Sequence, residues 1–384
     1  MTTVFYNNAY ALNNKPQYGP NDIIDFEIKM RPGRSCIANS FRVNGIVQVT
    51  KIKADGTQVP IVKADQVYIN PFVGAHGFFR NSSVSINGSV IENNTYYPTY
   101  AGMQKQKQFT LEGLNTSSDA LVELCGTQNN IMLLGSAVTD GMGVPMGCPF
   151  SIKPNAAING SASNLPQSKF QSVRIVFNMS SPVECLYTTH KPDDDYMLGA
   201  DGFVGLNYSI TQLQSAWYET AEMAVPSPVT FQTASLVTTT LLTNYATFAV
   251  TAPNLYESLS LRFVQQSHRN NIFFDNNLSE FVPGLEGGAA KTELTIDSNT
   301  AVVTYPIQSY ADLGFNYAKS LGAGMKNSIT NMYLSKVMTF GIGFAFAVSA
   351  NDRLAIAVQI DPTQNNPGVN PYDVFMYLCG FAQI

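Results

Sequence analysis

The sequence predicts an all-β protein of two consecutive eight-stranded jelly-roll β-sandwiches with short helical insertions. Segments that alternate apolar and polar residues, or that are rich in β-branched residues, recur along the chain of 384 residues. Helical patterns are few, and strands and helices do not alternate regularly, which argues against a parallel sheet. The order of strands, helix, polar loop and closing strands occurs twice. Two facing antiparallel sheets per half account for this plan.

The first half opens with clear strand patterns. Residues 22–30, DIIDFEIKM, alternate at period two, and residues 40–52, SFRVNGIVQVTKI, are rich in β-branched side chains. In VSINGSVIE, residues 84–92, Asn87-Gly88 separates two short apolar runs. This dipeptide tolerates positive φ at both turn positions, so it predicts a β-hairpin. Residues 170–179, FQSVRIVFNM, alternate again and predict a closing strand.

Helices are predicted at only three places. Residues 97–109 and 309–322 have helical patterns, and a third pattern covers 117–126, SSDALVELCG. There Ser117 or Ser118 is a candidate N-cap, and Gly126 is a candidate C-cap. The strands of the second half are predicted in the segments 206–219, 229–242, 246–252, 258–266, 301–308, 340–348, 353–361 and 374–384.

These patterns divide the chain into four parts. Residues 1–20, with Pro16 and Pro20, are predicted to be an extended N-terminal arm. Residues 21–190 form the first jelly roll, 191–202 form a charged, glycine-containing connector, and 203–384 form the second jelly roll. Insertions between strands are expected at the ends of the sandwiches.

Composition narrows the classes of function. Charged residues make up 13% of the chain, about half of what soluble domains usually carry. Such a surface repels other copies weakly and favours assembly. The net charge of −5 and the lack of a basic block argue against direct, sequence-specific binding of nucleic acid. No signal-peptide pattern begins the sequence, and its longest apolar run, residues 337–348, suits a buried strand.

No residue pattern indicates catalysis, a cofactor or a bound metal. His76, His190 and His268 lack a nucleophile motif nearby, so each is interpreted as a loop or half-buried side chain. Asp193, Asp194, Asp195 and Asp201 lie near His190, but they do not follow a calcium-loop pattern. The glycine-rich runs at 141–147 and 284–288 lack the features of phosphate loops. The five cysteines are widely spaced and predict buried, reduced thiols.

The stretch around His76 is predicted to be a structural corner. Gly74 and Gly77 would allow tight backbone geometry there. We therefore expect Gly74, Gly77 and Gly88 to be less replaceable than His76, and we expect His76→Asn to leave assembly largely intact.

Two other functions remain open on this basis. Many proteins that bind or cleave carbohydrate are β-sandwiches, although the chain has a single tryptophan, Trp217, within a predicted strand. A cupin-like enzyme would need clustered histidine and glutamate ligands, which three scattered histidines do not supply.

Three stretches resemble double jelly-roll major capsid proteins of the tectivirus and adenovirus lineage. They are 73–100, VGAHGFFRNSSVSINGSVIENNTYYPTY; 164–182, NLPQSKFQSVRIVFNMSSP; and 206–219, LNYSITQLQSAWYE. In that lineage, tailless icosahedral phages enclose an internal membrane. The resemblance implies a major capsid protein whose three copies form a pseudo-hexameric block that tiles an icosahedral virion shell.

The resemblance also implies partners and a location. We expect a homotrimer in contact with neighbouring trimers, a separate penton or vertex protein, minor capsid proteins and possible proximity to an internal membrane. The protein would be made in the host cytoplasm and reside in the virion. Loops at 127–165 and 267–300 would form towers or contacts between subunits. Residues 1–20 differ from the amphipathic N-terminal helix of the family, and we expect an arm that neighbouring subunits exchange.

Overall fold

The computed structural model describes most of the chain. The described ranges are 3–108, 111–126, 147–222, 228–243, 245–249, 254–277, 292–297, 302–307, 338–348, 353–358 and 371–384. The predicted helix at 309–322 and the glycine-rich run at 284–288 lie outside these residues, as does the run at 141–147 except for Gly147.

Strands dominate the first part of the chain. They are β1 Phe5–Tyr10, β2 Gln17–Tyr18, β3 Ile23–Ile28, β4 Arg34–Cys36, β5 Arg42–Ile52, β6 Gln58–Pro60, β7 Val67–Tyr68, β8 Phe79–Ile86, β9 Ser89–Thr95, β10 Cys148–Ile152, β11 Leu165–Pro166, β12 Val173–Met179, β13 Tyr187–Thr188 and β14 Gly205–Ala221. One sheet contains β10-β5-β14-β4-β11, with β1 and β2 on β14 and β6 on β5. A second sheet has the order β3-β12-β8-β9, and β7 pairs with β13.

Alternation places the core of the first sandwich between its two large sheets. Along β5, every second residue from Val43 to Lys51 is buried. Along β12, Val173, Ile175 and Phe177 are fully buried, and they belong to the same apolar cluster as Val43 and the other buried apolar residues of β5. One-sided burial of this kind fixes the register, because a slip by one residue would turn every apolar side chain toward water.

The predicted hairpin is confirmed. β8 and β9 pair through Ile86 and Ser89, which leaves Asn87 and Gly88 as a two-residue loop. Their φ angles are 50° and 83°, as a turn with positive φ at both positions requires.

The second half contains two four-stranded antiparallel sheets among the described residues. Its strands are β15 Thr230–Leu241, β16 Tyr245–Ala249, β17 Asn254–Gln265, β18 Thr292–Asp297, β19 Val302–Ile307, β20 Met338–Val348, β21 Arg353–Val358 and β22 Tyr372–Gln383. The sheet orders are β15-β22-β17-β20 and β16-β21-β18-β19. These eight strands agree with the predicted all-β, jelly-roll architecture.

One strand belongs to a different unit than predicted. β14 was expected to open the second jelly roll at 203–384, yet its residues pair with β5 from Gly205↔Ile52 to Ala216↔Arg42. Residues of β14 also pair with β1 on the opposite edge, so β14 lies inside the first large sheet. The expectation that the second unit starts at residue 203 is therefore wrong for this strand. Its alternating pattern is equally compatible with either sheet, so only the pairing decides.

Short helices fill the connections. They are α1 Tyr97–Gln108, α2 Leu111–Thr116, α3 Ser118–Val122, α4 Pro182–Cys185 and α5 Asp195–Leu198. Ser117 caps α3 by accepting a hydrogen bond from the Ala120 backbone, which confirms one of the two predicted N-caps. Among the described residues, none of the helices has the length and apolar content to cross a bilayer.

The N-terminal segment is extended, and its strands pair with a strand of the same chain. β1 pairs with β14 from Phe5↔Glu219 to Tyr10↔Gln214. β2 pairs with the same strand further along, at Ile210 and Thr211. Arg34 packs over the Phe5 ring at 3.8 Å from its centroid. The predicted arm thus contributes two strands, β1 and β2, to the first sheet.

Candidate functional site

His76 is buried more deeply than the sequence predicted. It lies in a short 3-10 helix, Gly74–Phe78, whose residues are all buried. Its Nδ1 atom is 2.6 Å from the Tyr97 hydroxyl, and its Nε2 atom is 3.4 Å from a carboxylate oxygen of Glu123. That carboxylate also contacts the Lys105 ammonium group. Segments that are apart in sequence therefore meet around this histidine.

The charges in this cluster are fixed by their neighbours. Burial alone would raise the pKa of Glu123, but its contacts with His76 and Lys105 lower it to about 2. Burial lowers the pKa of His76, which favours a neutral imidazole. The cluster is thus a buried ion pair of Glu123 and Lys105 beside a neutral histidine.

The same cluster lacks the properties of a nucleophilic site. Cys125 lies near Glu123, and burial raises the pKa of its thiol to about 12. A catalytic thiol needs the opposite shift, because the thiolate is the nucleophile. His76 is 0% exposed, so substrate cannot reach it in this conformation. The arrangement instead joins α1 and the residues after α3 to the corner at Gly74.

A second polar cluster secures the connector. His190 stacks on Tyr196 with 4.6 Å between ring centroids, and its two ring nitrogens lie 3.0 Å from Asp194 Oδ2 and 2.8 Å from the Ala64 carbonyl oxygen. Beneath it, Lys51 Nζ lies 2.7 Å from Asp65 Oδ1, and the Tyr196 hydroxyl donates to the same oxygen at 2.7 Å. The connector is therefore docked on the first sandwich.

The acidic residues of the connector do not converge on one point. Asp194 caps α5 by accepting a hydrogen bond from the Tyr196 backbone at 2.9 Å, and its other oxygen faces His190. Asp201 contributes its backbone oxygen to Lys51 at 3.0 Å. Within the described ranges, no group of three or more His, Cys, Asp or Glu side chains is placed to hold a metal ion.

The junction between the two sandwiches contains a buried carboxylate that sequence reasoning missed. Glu92 on β9 is 4% exposed. One of its oxygens accepts a hydrogen bond from Ala157 N at 2.6 Å, and the other accepts from Ala234 N, on β15 of the second half, at 3.2 Å. Burial raises its pKa to about 7, although both hydrogen bonds act to lower it. Glu92 therefore links the two halves.

A cluster of aromatic and arginine side chains completes this junction. Tyr96, with φ of 53°, accepts a hydrogen bond from Arg269 at its hydroxyl, 2.8 Å away, and from the Tyr377 hydroxyl at its carbonyl, 3.3 Å away. Arg269 forms an ion pair with Asp373, and its guanidinium lies 5.7 Å from the ring centroid of Phe375. Pairs such as Tyr96 and Arg269 are too distant in sequence for a local pattern to reveal them.

The remaining candidates also have structural surroundings. His268 stacks on Phe274 with centroids 3.7 Å apart. Trp217 is 4% exposed and donates its indole N–H to Glu219 at 3.0 Å, so it is not an exposed platform for a sugar ring. All five cysteines are buried, as the sequence predicted.

No protein-family model matches the sequence, and no curated protein matches it. Solved structures, in contrast, match the fold over nearly the whole chain. The Faustovirus major capsid protein is similar at a TM-score of 0.60 and 8% identity, covering 100% of this chain and 90% of that one. A chain of the PBCV-1 virus capsid gives 0.58 and 9%, covering 100% and 95%.

The mavirus major capsid protein is similar at a TM-score of 0.50 and 13% identity, with coverage of 99% of this chain and 90% of that one. At such low identities the similarity concerns the fold. The chain therefore has the fold of double jelly-roll viral major capsid proteins.

Proposed function

We propose that the chain is the major capsid protein of an icosahedral virus and acts as a structural subunit of the virion shell. The similarity in fold to viral major capsid proteins along 99–100% of the chain carries this proposal. A single shared domain would extend over only part of the chain, whereas here the similarity covers both halves.

We propose a homotrimer as the building block. Each chain supplies two sandwiches, so three chains give six sandwiches and a pseudo-hexameric outline. The low charge and the abundance of tyrosine, asparagine and glutamine support wide contacts between copies, because amides form hydrogen bonds without the desolvation cost of buried charge.

We propose a structural role without catalysis. The buried positions of His76 and Glu123 and the raised pKa of the Cys125 thiol support a stabilising role for the most enzyme-like cluster of the described residues. Glu92 and Arg269 likewise join the halves of the subunit.

We further propose a division of the chain that follows the strand pairing. The arm comprises residues 1–20 and adds β1 and β2 to the first sheet, the rest of the first jelly roll extends from residue 21 to the end of β14, and the second begins near β15. A pseudo-hexameric block does not fit a five-fold vertex, so we propose a separate vertex protein there. Minor capsid proteins and an internal membrane are further proposed neighbours.

Expression of the full chain tests the proposal. Sizing by light scattering should give a species of three chains, and electron microscopy should show blocks with a six-sided outline that assemble into sheets or shells. A stable monomer that binds polysaccharide would contradict the proposal and favour a carbohydrate-binding β-sandwich.

A further inference from the structure

The outer edge of β1 is open. One edge of β1 pairs with β14 over all six residues, and in the part of the chain that the structure describes no strand pairs with its other edge. The nearby hydrogen bond from Leu12 N to Asp25 O, at 2.7 Å, lies beyond the end of the strand. A row of backbone donors and acceptors is therefore available to another strand.

This edge lacks the usual protection against pairing. Soluble proteins protect edge strands with lysine, proline or a bulge. The register of β1 is continuous from Phe5 to Tyr10, without a bulge, and the strand contains no proline. No charged side chain precedes Lys15 in the sequence.

The outward face of β1 carries two exposed tyrosines. Tyr6, Asn8 and Tyr10 alternate with half-buried residues and point away from the sandwich. Tyr6 and Tyr10 are 56% and 62% exposed. Tyr6 also packs edge-to-face against Tyr218 of β14, with 5.6 Å between centroids. Large side chains on this face can contact a neighbouring strand.

The exposed pattern Tyr-x-Asn-x-Tyr reads the same in both directions. In an antiparallel pair centred on Asn8, Tyr6 of one copy lies opposite Tyr10 of the other, and both point to the same face. Asn8 then lies opposite Asn8 of the second copy. We propose that β1 pairs with β1 of a second copy of this chain about a two-fold axis at Asn8.

Charge and symmetry favour a second copy of this chain as the partner of β1. The chain has a net charge of −5, so copies repel one another in general, whereas the first 14 residues bring no side-chain charge into the contact. A two-fold contact uses the same surface on both partners, and a self-complementary strand satisfies this condition without any other protein.

The expected contact is small. Six residues and two tyrosines bury much less than the ~800 Å² per partner of a stable complex. A single β1 pair is therefore weak, but many such pairs in a shell act together. This inference rests on the proposed function for its setting, since the pair would connect neighbouring trimeric blocks.

Disulfide trapping tests the proposed two-fold axis at Asn8 between two β1 strands. In Asn8→Cys, the two new thiols would face each other with Cβ atoms about 4.5–5.5 Å apart. The native thiols are buried and should not interfere. Mild oxidation of concentrated protein should give covalent dimers, several-fold more than the control Asn93→Cys, which places a thiol at an exposed position of β9. Equal cross-linking of both variants would overturn the inference.

A charge substitution separates this inference from the proposed function. Asn8→Lys would place two ammonium groups at the axis, so trimers should form while shells are reduced at least several-fold; Asn93→Lys should assemble like the wild type. Shell formation by Asn8→Lys at the wild-type yield would overturn the strand pairing alone. Failure of the wild-type chain to form trimers would instead contradict the proposed function.

Discussion

At the scale of single residues, the corner at His76 depends on buried contacts that the sequence could not display. His76 contacts Tyr97 and Glu123, which follow it by 21 and 47 positions. Asparagine is shorter than histidine and cannot reach both groups. His76→Asn should therefore lower the free energy of unfolding by about 1–3 kcal/mol, because buried polar groups lose their partner. Urea denaturation at neutral pH measures this loss, and an unchanged midpoint would contradict it.

The three glycines that we expected to be less replaceable than His76 differ in their surroundings. Gly74 has φ of 54°, and a Cβ atom there would overlap the Glu123 carbonyl oxygen. Gly88 has φ of 83° with open space around it. A Cβ on Gly77 would meet its nearest neighbour, in Cys185, at 3.4 Å. The expectation for Gly77 therefore has no structural support.

Alanine substitutions should rank these glycines. Gly74→Ala should lower the free energy of unfolding by about 3 kcal/mol or more, because the backbone strain and the steric overlap of the new Cβ atom add. Gly88→Ala should cost about 1–2 kcal/mol from strain alone. Gly77→Ala should stay within about 0.5 kcal/mol of the wild type. Thermal unfolding of the three variants gives the order, and a loss for Gly77→Ala as large as that for Gly74→Ala would refute it.

Glu92 predicts a pH dependence of stability. Burial raises its pKa in the folded chain to about 7, from 4.5 for a glutamate in water. The folded state thus binds the proton more tightly, so the stabilisation is present at low pH and is lost as pH rises through 7. Between pH 5 and 8 the free energy of unfolding of the wild type should fall by about 2–3 kcal/mol because of this group.

Glu92→Gln isolates this contribution. Glutamine does not titrate. The free energy of unfolding, measured by urea denaturation, should therefore decline between pH 5 and 8 by about 2–3 kcal/mol less in the variant than in the wild type. The variant should also be less stable at pH 5, because its amide can accept only one of the two backbone N–H groups. Glu222→Gln, at a half-buried carboxylate that accepts a hydrogen bond from Ser168, is the control and should keep the wild-type pH dependence. If the free energy of unfolding depended on pH equally in Glu92→Gln and the wild type, Glu92 would not be the source of the decline.

At the scale of secondary-structure elements, alternation identified strands well and their partners poorly. The hairpin of β8 and β9 was predictable because Asn87-Gly88 supplies a local turn. β14 was recognised as a strand, yet its partner β5 lies more than 150 residues earlier, and nothing local indicates that pairing. The Glu92 junction was missed for the same reason, since Ala157 and Ala234 contribute only backbone N–H groups.

The position of the arm can be tested at its pairing with β14. Ala9 lies opposite Ser215 in the structure. The double variant Ala9→Cys with Ser215→Cys should form a disulfide within one chain, since the paired Cβ atoms are in reach. Non-reducing electrophoresis should show a monomer band of altered mobility. A ladder of covalently joined chains would instead support the exchange of arms that we expected from the sequence.

At the scale of the whole molecule, polar contacts hold the two sandwiches together. Arg269 pairs with Asp373 of the second half and donates to Tyr96 of the first. Glu92 adds the second connection through Ala234. Inter-domain contacts within one chain often permit relative motion. Here the buried position of Glu92 favours one cooperative block, which suits the proposed role of a shell subunit.

Calorimetry can test this coupling. The wild type should unfold in a single transition, whereas Arg269→Met should broaden it or divide it in two, because Asp373 and Tyr96 lose their shared donor. We expect a destabilisation of about 2 kcal/mol. Arg174→Met breaks an ion pair with Asp25 inside one sheet and is the matched control. It should lower the midpoint without dividing the transition. The same profile for both variants would argue against coupling through Arg269.

The position of β22 has a consequence for synthesis of the chain on the ribosome. β22 lies between β15 and β17, so its residues 372–383 pair with segments made more than 100 residues earlier. The first sandwich has all its strands once β14 has emerged, but the main sheet of the second must wait for β22. Pairing over such separations is slow and leaves strand edges exposed meanwhile. Vectorial folding should therefore finish the N-terminal half early and leave the C-terminal half as the stage at which nascent chains need chaperones.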